Sequence, residues 1–200
     1  MENQIKHVSP ESSDEELMLA VKTGNSYPFE ILYNRYKFPI ISYICRMMQN
    51  YQKAEDLTQE TFLKLLKKKD LYIFPKKFSS WLYKIATNIC LDEIRRSKFH
   101  SSEEIKEVVD SKEITEEIET KEKEQIIKKV INSLSAEHKS IIVLKQYQGL
   151  KNQEIAEILG KDLNWVKWHL KCAYDELEER LKPYFTPFSL PSLEFIRIIK

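Results

Sequence analysis

The sequence predicts an all-α fold of two small helical domains joined by a flexible acidic linker. Three observations predict it. Only three glycines, Gly24, Gly149 and Gly160, occur in 200 residues, too few for a sheet-and-turn fold or a Gly-rich phosphate loop. Leu, Ile, Lys and Glu dominate, and apolar residues recur three and four positions apart, the period of an amphipathic helix. Between two such patterned halves, residues 98–122 turn acidic, Ser-rich and poor in aromatics, as a linker does. With 42% hydrophobic and 32% charged residues, the chain has the apolar material for a core and too much of it for a disordered chain.

The elements follow in order. Residues 1–12 are polar and read as loose. Ser13 and Glu16 form an S-x-x-E capping box, Leu17, Ala20 and Val21 share one face, and Gly24 ends the first helix. Pro28 suits the first turn of the next helix, with Phe29, Leu32, Tyr33 and Tyr36 at helical spacing. Pro39 suits a new start or a kink, and Ile40, Ile41, Ile44, Cys45 and Met48 continue the pattern. A third helix is predicted over Ala54–Leu66 and a fourth over Phe78–Ser97, the latter with Trp81, Leu82, Ile85, Ile89 and Ile94 on its buried side. Beyond the linker, Ile126, Ile127, Val130, Ile131 and Leu134 mark one helix. Ser135 caps a helix that runs through Tyr147 to Gly149, Asn152 caps a short helix with Ile155, Ala156 and Leu159, and a longer helix follows Gly160. Pro183, Pro187 and Pro191 keep residues 183–200 from extending it.

The net charge of +1 predicts no partner, but its distribution does. Lys64, Lys67, Lys68, Lys69, Lys76, Lys77, Lys84, Arg95, Arg96 and Lys98 form a basic stretch, whereas acids gather from Glu103 to Glu124. Cys45, Cys90 and Cys172 are far apart and show no metal-ligand spacing, so they read as reduced cysteines of a cytoplasmic protein. The N-terminus lacks the apolar stretch of a signal peptide, and no run of about 18 apolar residues occurs, so no direct membrane insertion is expected. His7, His100, His138 and His169 are scattered, and no Ser/His/Asp order, HExxH or P-loop appears. The expectation is no catalytic residue, no metal and no cofactor.

Residues 152–173, NQEIAEILGKDLNWVKWHLKCA, read as helix, glycine turn, helix. The small Ala156 permits a close crossing and Gly160 a left-handed turn, the arrangement of a helix-turn-helix. Its second helix would carry Asn164, Trp165, Lys167, Trp168, His169 and Lys171 to the major groove, where Asn and His bond base edges and Lys meets phosphate or guanine. A helical hairpin that serves packing only is the alternative. Residues 78–98, FSSWLYKIATNICLDEIRRSK, interleave aromatic and basic side chains, which suits unstacked bases. Taken alone, this segment reads more simply as a core helix with a solvated basic end. Residues 54–68, AEDLTQETFLKLLKK, form an amphipathic surface helix, acidic at its start and basic at its end.

In their order and spacing these segments resemble the extracytoplasmic-function (ECF) sigma factors of the sigma-70 family. DEELMLAVKTGN, FEILYNRYKFPIISYICRMM, AEDLTQETFLKLLK and FSSWLYKIATNICLDEIRRSK resemble that family's region 2, and INSLSAEHKSIIVLKQYQGLKNQEIAEILGKDLNWVKWHLKCAYDELEERL its helix-turn-helix region 4. The resemblance covers residues 13–182 and implies a region 2-like domain over 13–98, a linker over 99–122, a region 4-like domain over 123–182 and a tail over 183–200. It implies RNA polymerase core (the β′ clamp and the β flap) and promoter DNA as partners, and an anti-sigma factor as inhibitor. Core binding then falls to Asp56, Gln59, Glu60, Phe62, Leu63 and Lys64, and capture of the melted −10 element to Ser80, Trp81, Lys84, Asn88, Asp92, Arg95 and Arg96. The −35 element falls to Asn164, Trp165, Lys167, Trp168, His169 and Lys171, and the linker resembles the segment that threads toward the polymerase cleft and RNA exit path.

The chain departs from the family in two places. Where the family usually carries several arginines, Trp165, Trp168, His169, Cys172, Tyr174, Asp175 and Glu176 stand, which implies fewer phosphate contacts and a shallower salt dependence. The tail PYFTPFSLPSLEFIRIIK also lies outside the usual pattern. The rival reading is a helix-turn-helix regulator that binds duplex DNA without polymerase. It predicts stable operator binding by the chain alone, usually as a symmetric dimer.

Overall fold

A computed structural model describes residues 8–100 and 116–184. Among the described residues there are eight α-helices and no strand. Packing groups residues 1–90 with 153–162 into one compact unit, and 91–152 with 163–200 into another.

In the first unit, α1 (Asp14–Lys22) begins at the predicted capping box: Ser13 Oγ accepts from the Glu16 amide and Glu16 returns a bond to the Ser13 amide. Gly24 follows with a φ of 93°, a conformation glycine adopts without strain. α2 (Tyr27–Met48) takes Pro28 into its first turn and continues past Pro39 as one helix. No second helix starts at Pro39, because Leu32 before it and Ile40, Ile41, Tyr43, Ile44 and Met47 after it are all buried as one continuous apolar face. α3 (Tyr51–Lys67) is capped by Asn50, which accepts from the Lys53 amide at 2.9 Å. It buries Ala54, Leu57, Thr61, Phe62 and Leu65, the stripe its sequence spacing predicts. A short 3-10 turn (Lys69–Leu71) leads to α4 (Phe78–His100), longer by one turn than its predicted Ser97 end.

α1 positions the start of α4. The Phe78 amide donates to Glu15 Oε1 at 3.0 Å, so a carboxylate from another helix caps the α4 N-terminus. Lys22 Nζ donates to the carbonyls of Asp70 and Tyr72 at 3.2 and 2.9 Å and ties down the loop before it. Farther along α4, Thr87 Oγ1 and the Tyr43 hydroxyl share a buried 2.8 Å hydrogen bond, and the Tyr43 and Tyr83 rings meet edge-on at 5.4 Å.

Burial pushes the Tyr83 phenol up to about 12 and the Tyr43 phenol well above its usual value of 10.0. In the unfolded chain both would ionise near 10, so the stability they hold is fully present below that pH and is lost as pH climbs toward 12. Tyr83 alone accounts for about 3 kcal/mol of that loss. Thermal melts followed by circular dichroism should therefore show a steady midpoint up to about pH 9 and a steep fall above about pH 10. A Tyr83→Phe variant should lose part of that alkaline fall.

C-terminal to α4, α5 (Glu116–Ser133) begins inside the stretch read as linker; residues 101–115, with the acids from Glu103 onward, lie outside the described residues. Ser135 caps α6 (Ala136–Ile142), accepting from the His138 amide at 3.1 Å. The predicted single helix to Tyr147 instead widens into a π-helical turn over Val143–Tyr147, with the Gln148 amide reaching back to the Val143 carbonyl at 3.2 Å. Ile141, Ile142, Val143 and Leu144 are consecutive and fully buried, which no single α-helical stripe can achieve; the wider turn accommodates them. α7 (Asn152–Leu159) starts on Asn152 itself, whose buried Oδ1 has no hydrogen-bond partner. Asn152 is therefore the first helical residue and not the predicted cap, since a side chain inside the first turn points past the amides a cap would bond. Gly160, with a φ of 65°, turns the chain into α8 (Leu163–Leu181). Val166, Leu170, Ala173, Leu177 and Leu181 of α8 are buried, and α5 and α6 pack on this helix. Arg180 donates to the Ser133 carbonyl at 2.8 Å and holds the end of α5. No helix among the described residues is long and apolar enough to cross a membrane. His7 and residues 185–200 of the tail lie outside the described residues.

Candidate nucleic-acid and partner interfaces

Three helix faces hold the predicted site residues. On α3, Asp56, Gln59 and Leu63 are exposed and repeat at helical spacing, with Leu63 57% exposed in the middle of a polar stripe. Glu60 and Lys64 flank it half-exposed and bond each other at 2.8 Å, so their charges largely cancel. Phe62 is not on this face. It is 3% exposed, and its ring meets Tyr33 at 4.8 Å and Phe29 at 6.2 Å, edge-on in both cases. It anchors α3 to α2.

On α4, Trp81, Lys84, Asn88, Asp92 and Arg95 fall on one stripe of the helix, with Arg96 beside it. Lys84, Asn88, Arg95 and Arg96 are exposed. Trp81 is half-buried, its ring 5.3 Å from Tyr72 and 6.4 Å from Phe78, so part of the indole stays open while its position is set by the core. Asp92 lies 2.8 Å from Arg95 and Glu93 3.7 Å from Arg96, each three residues apart. Asp92 thus orients a guanidinium, a role its charge suits better than contact with phosphate. Ser80 differs from the expectation: it is 6% exposed, and its Oγ is buried without a hydrogen-bond partner. It stands on the core side of the stripe because Ser80 is set a full residue angle away from Trp81.

Sequence reasoning missed the loop before α4. Leu71, Ile73 and Phe74 are 67%, 60% and 49% exposed beside Tyr72, which touches Trp81. The signal was present as an apolar run, LYIF, between lysines and Pro75, but a helix-period search passes over so short a stretch.

On α8, Asn164, Lys167, Trp168 and Lys171 are exposed and stand at i, i+3, i+4 and i+7, one face of the first two turns. Trp165 and His169 leave this face. Their rings stack at 3.6 Å and 24°, and His169 Nδ1–H donates to the Trp165 carbonyl at 3.0 Å. Both are half-buried because α6 supplies neighbours on that side: the His138 ring lies 5.8 Å from His169, and His138 Nδ1 bonds Glu176 at 2.8 Å. Asp175, next along the exposed face, is a carboxylate that phosphate would avoid, so the cationic part ends at Lys171.

Among the described residues, cationic and aromatic side chains stand exposed on two separate helices, one of them following a glycine turn, a pattern that points to a nucleic-acid-binding protein. Comparison with known proteins narrows this. Residues 32–100 match Sigma-70 region 2 and residues 124–177 match Sigma-70, region 4. The ECF RNA polymerase sigma factor SigW of Bacillus subtilis is 30% identical over 81% of this chain and 93% of the relative. The ECF RNA polymerase sigma-E factor of Salmonella typhimurium is 25% identical over 88% and 98%. Among solved structures, CnrH in complex with the cytosolic domain of CnrY aligns with a TM-score of 0.65 at 20% identity, over 86% of this chain and 99% of that one. The sigma factor RpoE in complex with the anti-sigma factor NepR from Bartonella quintana aligns at 0.59 and 22% identity, over 77% and 96%. The chain belongs to the ECF sigma factors of the sigma-70 family, and it functions as an RNA polymerase sigma factor. Sigma factors are in general DNA-binding initiation factors without enzymatic activity.

Proposed function

We propose that this chain divides the work of a sigma factor between a region 2 domain over 13–98 and a region 4 domain over 123–182, with 99–122 as linker and 183–200 as tail. The observation that carries the reading is the pair of exposed cationic faces, on α4 and on α8, each inside one of the two matched regions. On α3 the stripe of Asp56, Gln59 and Leu63, with the Glu60–Lys64 pair at its edge, docks on the β′ clamp of core polymerase. Phe62 holds that stripe in place from behind. On α4, Trp81 stacks on a base of the melted −10 strand while Lys84, Asn88, Arg95 and Arg96 meet its backbone and bases. Asp92 positions Arg95, and Ser80 supports Trp81 from the core. On α8, Asn164, Lys167, Trp168 and Lys171 enter the major groove of the −35 duplex, braced by Trp165 and His169. Region 4 also meets the β flap. The chain itself is no enzyme, acts in the cytoplasm without cofactor, and is held inactive by an anti-sigma factor; the structural relative RpoE is found in complex with the anti-sigma factor NepR.

Run-off transcription tests this directly. Purified core polymerase is given genomic fragments with and without the chain. Discrete new start sites that need the chain are the expected result, and their alignment gives the −10 and −35 sequences. Absence of new transcripts together with stable duplex binding by the chain alone would favour the polymerase-independent regulator. On a promoter so identified, a Lys167→Ala/Lys171→Ala variant should lower the slope of log affinity against log salt by about 2, close to 0.9 for each lost duplex phosphate contact.

A further inference from the structure

We infer that Trp168 reads thymine C5-methyl groups in the major groove of the −35 duplex, so that this chain's −35 preference is set in part by apolar contact and not by hydrogen bonds to base edges alone. The inference rests on the placement of α8 given above and deepens it. A single exposed apolar side chain is ordinary on a protein surface. Trp168 is set apart by where it stands and by how it is held. It is 62% exposed and lies between Lys167 and Lys171 on the face that starts at Asn164. Its ring meets the edge of His169 at 4.6 Å and 77°. His169 is itself fixed by its stack on Trp165 and by its bond to the Trp165 carbonyl. Behind His169 stands His138, which Glu176 holds at 2.8 Å. An aromatic series thus runs from α6 to the exposed indole and limits the rotamers open to it before any DNA arrives, which lowers the entropy lost on binding.

The chemistry of the groove selects the ligand. An indole has one N–H donor and no acceptor, so it cannot form the paired bonds by which Arg reads guanine or Asn reads adenine. The apolar group the major groove offers is the thymine C5-methyl. The flanking lysines hold the backbone on either side and leave the indole over the base edges. His169 faces the Trp165 carbonyl through Nδ1, so that nitrogen carries its proton and is committed within the protein. Among the exposed side chains of this face, Asn164, Lys167, Trp168 and Lys171, only Trp168 offers an apolar surface to the groove.

The test uses holoenzyme and a promoter found by the run-off experiment, synthesised with deoxyuridine in place of thymidine only within the −35 element. Deoxyuridine keeps every pairing edge and lacks the methyl. Wild-type holoenzyme should bind the substituted duplex about fourfold more weakly for each methyl contacted, the change that removing one buried methyl-sized group produces. Trp168→Gln should bind both duplexes equally, and Trp168→Phe should retain part of the discrimination. Equal binding of both duplexes by wild type overturns the inference, as does a −35 element without A·T pairs. If the Lys167→Ala/Lys171→Ala variant still lowers the salt slope in that case, α8 remains in the groove and only the methyl contact fails. If that slope is also unchanged, the placement of α8 fails with it.

Discussion

A Lys84→Ala/Arg95→Ala/Arg96→Ala variant is expected to fold normally, to bind core polymerase as tightly as wild type, and to lose roughly a hundredfold in affinity for melted promoter DNA at about 0.1 M salt. The size follows from counterion release: each single-strand phosphate contact contributes about 0.7 to the slope of log affinity against log salt, so three lost contacts take away about 2. Folding should be spared because the arginine side chains are 69% and 67% exposed and their partners are neighbours three residues away on the same helix. Such exposed pairs contribute at most about 1 kcal/mol. Fluorescence anisotropy of holoenzyme on a pre-melted promoter fragment, across a salt series, reads both affinity and slope. An unchanged slope would remove α4 from the DNA. The Asp92 carboxylate gives a control of opposite sign: Asp92→Asn removes a charge that competes with phosphate for Arg95, so binding should tighten slightly while the slope steepens.

Helix positions were largely legible in the sequence because burial here follows simple periodicity. The stripe Ala54, Leu57, Thr61, Phe62, Leu65 and the stripe Val166, Leu170, Ala173, Leu177, Leu181 are both buried as spaced. The Ser13–Glu16 box and the Ser135 cap also form, since caps depend on residues only three apart. The differences arise where a residue's surroundings come from distant chain. Trp165 and His169 look available on a helical projection, yet they stack and turn toward His138, a residue of α6. Ser80 sits next to Trp81 in a motif that suggested DNA contact, but it is buried in the fold. Pro39 suggested a new helix start or a kink; no new helix starts there, and buried residues on either side lie within one helix. The widened turn after Ile142 could not be seen, because the apolar pattern does not distinguish a π-helical turn from a continuing α-helix. Within each expected face, some side chains are exposed, such as Lys84, Asn88, Lys167 and Lys171, and others, such as Phe62 and Ser80, are buried against their neighbours.

That division is sharpest at Phe62 and Leu63, adjacent residues with opposite expected phenotypes. Phe62→Ala removes a ring that is 3% exposed and sits edge-on to Tyr33 and Phe29. The lost burial and the cavity left behind should destabilise the chain by about 3–5 kcal/mol, and the loss of two aromatic pairs adds to this. For a domain of this size that is a large part of the total stability, so its urea midpoint should fall steeply with little change in the transition's slope. Core binding would then fall only in proportion to the unfolded fraction and would return at lower temperature. Leu63→Asp does the reverse. The residue is 57% exposed, so stability should stay within about 1 kcal/mol of wild type. At the centre of the docking stripe, however, a new carboxylate must be desolvated without a partner, and binding to core should weaken by about 2 kcal/mol or more, some thirtyfold. Urea unfolding and a pull-down titration with core polymerase separate the two. If Leu63→Asp binds core normally, the polar face of α3 is not the clamp contact, and the exposed Leu71, Ile73 and Phe74 of the loop before α4 become the better candidates for it.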